Sequence, residues 1–216
     1  MMEWVRCGAA AMAAIVMGAA GGPAEAEDGA RAGTWLLRGR ALGVLPDESS
    51  TISAIGGRAD AENTIVPELD LTYFATDSIA VELIAAVTKH DVEAHGTMLG
   101  TVPLGSAWLL PPTLTVQYHV PGAGGVSPYL GAGVNYTHFF DADPPAAGAV
   151  RSISYDDSFG PALQAGVDVW VNDRWAINLD VKKVWLNTDV SINGGAIEAD
   201  VDLDPWLVGV GVAYRF

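Results

Sequence analysis

Among the stretches of the 216-residue chain that set charges two residues apart are Arg38 with Arg40, Glu68 with Asp70, and Asp180 with Lys182. Glu82 and Arg215 are isolated charges in comparable settings. Residues i and i+2 of an extended strand point the same way, so each pair shares one face. Opposite signs on neighbouring segments suit ion pairing, with arginine forks on carboxylates. Buried and unpaired, the same charges would be expensive. Other candidate chemistry is weaker. His90, His95, His119 and His138 show no metal-ligand spacing, and neither a metal nor a cofactor is expected. His90-Asp91 could serve as an acid–base pair in an acyltransferase or phospholipase. No G-x-S-x-G is present and no nucleophile is placed beside the pair, so the chain is not expected to be an enzyme. Gly131-Ala132-Gly133 is followed by Tyr136 where a phosphate-binding loop needs glycine. The acids Asp141, Asp143, Asp156, Asp157, Asp200, Asp202 and Asp204 read as a solvated rim rather than a cation site.

The elements that carry these charges are strands. Trp206, Val208, Val210, Val212, Tyr214 and Phe216 fall on one parity, against Leu207, Gly209, Gly211, Ala213 and Arg215 on the other. One face is large and apolar, the other small or polar, as in a strand between lipid and a lumen. Eight such segments are predicted, at about 34–45, 62–74, 78–90, 107–120, 127–139, 154–171, 174–188 and 198–216. The intervening connections alternate long and short. That is the pattern of an all-β, eight-stranded antiparallel up-and-down transmembrane β-barrel, with short periplasmic turns and long extracellular loops.

A β-sandwich would also alternate, but it would place aromatics in mid-strand, where burial is deepest. Here they lie at strand ends. Trp35, Tyr73, Phe74, Tyr118, Tyr129, Trp170, Trp175, Tyr214 and Phe216 are assigned to a periplasmic girdle. Trp108, Tyr136, Phe139, Phe140, Tyr155, Phe159, Trp185 and Trp206 are assigned to an outer one. Aliphatic residues fill the belt between them.

The remaining composition agrees. Arg6, an Ala-rich apolar run from Cys7 to Ala20, and Ala24-Glu25-Ala26 form a secretory signal peptide over residues 1–26, leaving a barrel domain over 27–216. Cys7 leaves with the signal, so the exported chain has no disulfide. Removing Glu3, Arg6 and Glu25 takes the formal charge from −15 to −14, and such acidity argues against nucleic acid as a partner. No apolar run of about 20 residues follows the signal, so no membrane-spanning helix is expected.

Several segments together resemble the outer membrane protein W (OmpW) family. They are Trp35-Leu-Leu-Arg-Gly-Arg40, Leu71-Thr-Tyr-Phe-Ala-Thr-Asp-Ser-Ile-Ala-Val-Glu-Leu83 and Lys89-His90-Asp91. Further on come Trp108-Leu-Leu-Pro-Pro-Thr-Leu-Thr-Val-Gln-Tyr-His119, Ser127-Pro-Tyr-Leu-Gly-Ala-Gly-Val-Asn-Tyr136 and Asn178-Leu-Asp-Val-Lys182. The resemblance implies a small barrel in the Gram-negative outer membrane with a narrow lumen, passing small hydrophobic molecules or serving as a receptor for phage or bacteriocins. Lys183 departs from the outward apolar pattern and is read as snorkelling to the interface or meeting lipopolysaccharide phosphate.

Eight strands enclose room for side chains or one small ligand. Arg38, Arg40, Glu68, Asp70, Glu82, Asp180, Lys182 and Arg215 face inward in the periplasmic half and are expected to form a paired polar floor. Leu42, Val44, Ile84 and Leu109 face inward above it, with Met98, Leu99 and Leu104 as an apolar lid. A small hydrophobic solute could enter this funnel and leave sideways into the membrane, with Pro111, Pro112 or Pro161 weakening the strand ladder. The alternative is a closed structural barrel whose loops bind a partner. Outer-membrane lipid, lipopolysaccharide and, through the strand ending at Phe216, the barrel assembly machinery are the other expected partners. The oligomeric state is left open.

Overall fold

The computed structural model describes residues 31–46, 49–52, 58–61, 63–97, 100–120, 124–145 and 150–216; the proposed signal peptide lies outside them. Fifteen strands are found there: β1 (Trp35–Leu45), β2 (Ser49–Ile52), β3 (Arg58–Ala61), β4 (Thr64–Phe74), β5 (Ile79–Ala86), β6 (Thr88–Thr97), β7 (Gly100–Leu110), β8 (Thr113–His119), β9 (Val126–Asp143), β10 (Ile153–Tyr155), β11 (Ser158–Trp170), β12 (Trp175–Val184), β13 (Asn187–Ile192), β14 (Ile197–Asp202) and β15 (Trp206–Arg215). Eight of them close a ring in the order β1-β4-β5-β8-β9-β11-β12-β15, with β15 pairing back to β1. Every pairing in the ring is antiparallel.

Alternation fixes which face is which. In β4 the burial pattern switches at each step, with Ile65, Leu69, Leu71 and Tyr73 outside and Val66, Glu68, Asp70, Thr72 and Phe74 inside. The outward belt is openly apolar: Ile65 is 79% exposed, Leu130 63% and Phe159 71%. Water would not tolerate so large a patch, whereas hydrocarbon chains do. Trp35, Trp108, Trp175, Trp185, Trp206 and Phe216 stand exposed at the ends of this belt, and Tyr214 packs between Trp175 and Phe216. Three aromatics assigned to the periplasmic girdle belong elsewhere. Phe74, Tyr129 and Trp170 are buried inside the ring, and Phe139 and Tyr155 of the expected outer girdle line the lumen, because parity, not height, decides which way each points.

One end of the ring has short turns. The Asn172 side chain accepts from the Arg174 and Trp175 amides at 2.9 Å each, and Thr76 caps Ile79 in the same way. At the other end most of the connections read as loops are sheet. β6 and β7 form a hairpin that joins β3 on one side and the distal half of β9 on the other. A separate sheet, β10-β13-β14-β2, rises from the opposite side. The sequence at 187–203 carries the signal for it, since Thr188, Val190 and Ile192, then Ala199, Val201 and Leu203, repeat at period two. Val150, Ile153, Val190, Ile192, Ala199 and Val201 form its apolar face. Asn193, Gly194 and Gly195 turn its central hairpin with positive φ, as their types predict.

Candidate functional site: a charged floor under an apolar funnel

The floor is assembled by strand register. Arg38 stands opposite Asp70, and Arg40 opposite Glu68, on the β1–β4 ladder. Arg38 reaches further across the lumen. Its Nε and Nη2 donate to Asp168 at 3.3 and 2.9 Å, and its Nη1 donates to Asp70 at 3.1 Å and Thr72 at 2.6 Å. Arg40 donates to Glu68 at 2.6 Å, Glu82 at 3.0 Å and Asn178 at 2.7 Å. Lys182 donates to Glu68 at 2.8 and 3.1 Å and lies 2.9 Å from Asp180 Oδ1. All these ion-pairing side chains are at most 2% exposed.

Neutral groups complete the network. Tyr129 and Gln164 donate to Asp180 at 2.7 and 2.8 Å, Thr115 to Glu82 at 3.1 Å, and Gln117 to Gln164 at 3.1 Å. The Asp70 Oδ2 and Asp180 Oδ1 oxygens face Arg40 and Lys182 at 3.0 and 2.9 Å as ion contacts without hydrogen-bond alignment. Small inward residues make the room: a Cβ added at Gly166 would lie 2.4 Å from the Tyr129 ring.

Seven of the eight charges assigned to the floor meet here. Arg215 does not join them. It lies half-buried below, donating to the Asp173 carbonyl at 2.7 Å with its guanidinium 4.7 Å from the Trp170 ring centre, because the strand end places it at the turn. Asp168 and Tyr129, with Thr72, Thr115, Gln117, Gln164 and Asn178, are members outside the sequence-based floor. Asp168 has the inward parity of Gln164 and Gly166, which was the available signal. Beneath the charges, Leu36, Phe74, Ala80, Trp170, Ala176 and Ala213 pack into an apolar plug. His119 lies between the Phe74 and Tyr129 rings, its Nε2 3.0 Å from the Gln117 oxygen.

Above Glu68 and Lys182 the lumen opens. A cavity with about 1390 Å³ of empty space, its mouth included, is lined by Leu42, Val44, Ile84 and Leu109 from the ring and by Val190, Ile192, Ala199 and Val201 from the outer sheet. The sheet thus supplies a wall in which Val190 and Ile192 come from a predicted loop, while Ala199 and Val201 come from the start of the predicted last strand. Of the proposed lid, Met98 and Leu99 lie outside the described residues, and Leu104 falls within β7 rather than a loop.

The wall of the ring is uneven. The β1–β15 ladder runs unbroken from Leu36↔Arg215 to Leu45↔Trp206, and the β9–β11 ladder from Val169↔Val126 to Ser158↔Thr137. Between β4 and β9 it is interrupted. The β4–β5 ladder stops at Glu68↔Ala86, and among the described residues Thr64–Pro67 have no ladder pair on that side before β3–β6 pairs at Ala61↔Val92. The β5–β8 ladder stops at Ile84↔Thr113 and resumes only at Thr88↔Leu109. Pro111 and Pro112 lie in this gap and Pro67 borders the other; proline has no amide to give. Pro161 is different: it pairs with Val134 in an unbroken ladder and weakens nothing there. At the outer rim, Lys183 donates to the Asp204 carbonyl at 2.5 Å and lies over the Trp206 ring. Asp157 accepts from Tyr136 at 2.5 Å and meets His138 Nδ1 at 2.8 Å. The Tyr136 bond, with His138 and the Phe139 amide, holds the Asp157 carboxyl below its ordinary range.

A family model described as the OmpW family matches residues 31–216. The chain belongs to the OmpW family. It is 41% identical to the outer-membrane protein y4mB of Sinorhizobium fredii, over 99% of this chain and 97% of that one. It is 36% identical to the dibenzothiophene metabolism operon protein PahQ of Pseudomonas aeruginosa, over 74% of this chain and 76% of that one. The solved structure of the outer membrane protein OprG from Pseudomonas aeruginosa matches with a TM-score of 0.80 at 35% identity, covering 87% of this chain and 98% of that chain. This OmpW-family chain is an outer-membrane β-barrel. In such barrels the short turns face the periplasm, so the plug and floor are periplasmic and the funnel opens outward.

Proposed function

We propose that this barrel admits small hydrophobic solutes from outside into the apolar funnel and releases them sideways into the membrane. The observation that carries the reading is the cavity itself, apolar in its walls and blind at its base. Burying apolar surface is worth ~25 cal/mol per Å², so a solute hiding ~200 Å² gains ~5 kcal/mol on entry. Onward passage to the periplasm would break buried ion pairs at about 3–5 kcal/mol each and then displace the plug. The interrupted wall between β4 and β9, with Pro67, Pro111 and Pro112, is the lower barrier. A relative named for a dibenzothiophene metabolism operon is in keeping with an apolar cargo. The receptor alternative calls for a lumen packed throughout, and the open funnel favours transport. Membrane lipid and lipopolysaccharide would surround the belt, and the barrel assembly machinery would insert it.

Proteoliposome uptake of an alkyl solute tests this. Wild-type protein should exceed protein-free vesicles. Ala86→Phe with Ala107→Phe, which put rings into the funnel from two buried lining positions, should abolish the excess. Uptake by the wild type no faster than by empty vesicles would sink the reading.

A further inference from the structure

The few polar side chains that line the funnel are almost all engaged. Thr113 donates to the Pro111 carbonyl at 3.3 Å, Asn135 to Thr113 at 2.8 Å, and Thr188 to the Asp156 carbonyl at 2.7 Å. Glu68 and Lys182 hold each other. Thr88 adds a further hydroxyl to the lining, and Tyr155 stands apart from the engaged groups. It lines the cavity, and its ring stacks on Phe139 with centroids 5.3 Å apart and planes 14° from parallel. Its hydroxyl is buried and meets no hydrogen-bond partner. Burial pushes that hydroxyl up to about 12, so it keeps its proton throughout the neutral range. A phenylalanine would give the same stack and spare the cost of an unpaired buried hydroxyl.

We propose that the Tyr155 hydroxyl is a specificity-determining donor for the solute, so that the funnel prefers apolar molecules with one neutral hydrogen-bond acceptor over bare hydrocarbons. Ketones, ethers and heteroatom-containing aromatics are the fitting class. The inference rests on the funnel being the solute site, as proposed above. The hydroxyl is covered by its neighbours, so the acceptor would reach it by parting the side chains around the Phe139–Tyr155 pair, with the apolar body of the solute along the wall of Val190, Ile192 and Val201. Little water competes for the bond in such surroundings, which strengthens it. A carboxylate head would fare worse. The floor at the funnel's base sets five carboxylates, Glu68, Asp70, Glu82, Asp168 and Asp180, against three cations, Arg38, Arg40 and Lys182.

The test compares 2-nonanone with n-nonane, using the full chain as wild type and as Tyr155→Phe. Two readouts are needed. In lipid nanodiscs, the ¹³Cζ resonance of Tyr155 should move with the ketone and stay in place with the alkane. In proteoliposomes, Tyr155→Phe should slow ketone uptake by roughly two- to ten-fold, the weight of one neutral hydrogen bond, and leave alkane uptake unchanged. Heat-modifiable gel mobility checks that the variant barrel is folded. An unmoved ¹³Cζ resonance at saturating ketone overturns the proposal. So does a variant that slows both solutes alike, or neither. If wild-type vesicles take up neither solute, transport is refuted, while the resonance shift alone still decides whether Tyr155 is the donor.

Discussion

The floor and the funnel are built by the same strands and differ by one step of two residues. On β1, Arg38 and Arg40 belong to the floor and Leu42 to the funnel; on β4, Asp70 and Glu68 belong to the floor and Val66 to the funnel. The two regions behave differently as material. In the floor, each charge draws a partner from across the lumen, so the space closes and stays closed. In the funnel no side chain has reason to cross, and an apolar void is not compelled to fill with water. Emptiness above and closure below follow from the chemistry of the inward residue, with no change in strand number.

That contrast can be broken most forcefully in the floor. Arg38→Leu leaves Asp70, Asp168 and Glu82 short of a cation, and barrel stability should fall by about 3–5 kcal/mol in urea unfolding from lipid vesicles. A loss below about 1 kcal/mol would show that the charges are not what holds the lower lumen. Leu42→Ala, one step higher on the same strand, should cost only about 1–2 kcal/mol by the same measurement. Its side chain already borders open space, so the change adds little new cavity beyond the lost transfer energy. Equal losses at the two sites would erase the distinction.

The wall gives a finer test. Replacing Pro111 and Pro112 together with threonine restores one amide toward each neighbouring strand, and solute uptake should drop as the one facing the gap helps to close it. Uptake that is unchanged would move the exit elsewhere. The smallest effect expected is at the outer rim. Because the Asp157 carboxyl titrates below its ordinary 3.8, its contribution to holding Tyr136 and His138 is complete above that pH and fades as pH falls through the lower folded value. Hydrogen exchange at the Phe139 amide, which donates to Asp157 at 3.4 Å, should therefore be insensitive to pH-driven loosening at and above pH 5.

Much of this was legible from residue types. Period-two alternation exposed the eight ring strands and their faces, and charges at i and i+2 exposed most of the floor. Legibility ended where the answer depends on register or on parity at a strand end. Tyr129 sits at the height of a girdle but points inward, and Arg215 has inward parity but ends beside a turn. The extracellular sheets were hidden because their strands are short and their acids and glycines resemble loop composition. The gap beside Pro67 is invisible without knowing that β4 and β5 lose each other after Glu68.

The continuity of the β1–β15 ladder has a consequence for how the wall yields. Ten consecutive residue pairs lock the junction between the first and last ring strands, so the place where the cylinder was sewn shut is among its firmest. Under thermal agitation or lateral tension, the strands should part in the middle of the chain, around residues 64–67, 85–88 and 110–112. Opening and closing there would leave the suture between β1 and β15 untouched, and the cylinder could breathe many times without ever coming undone.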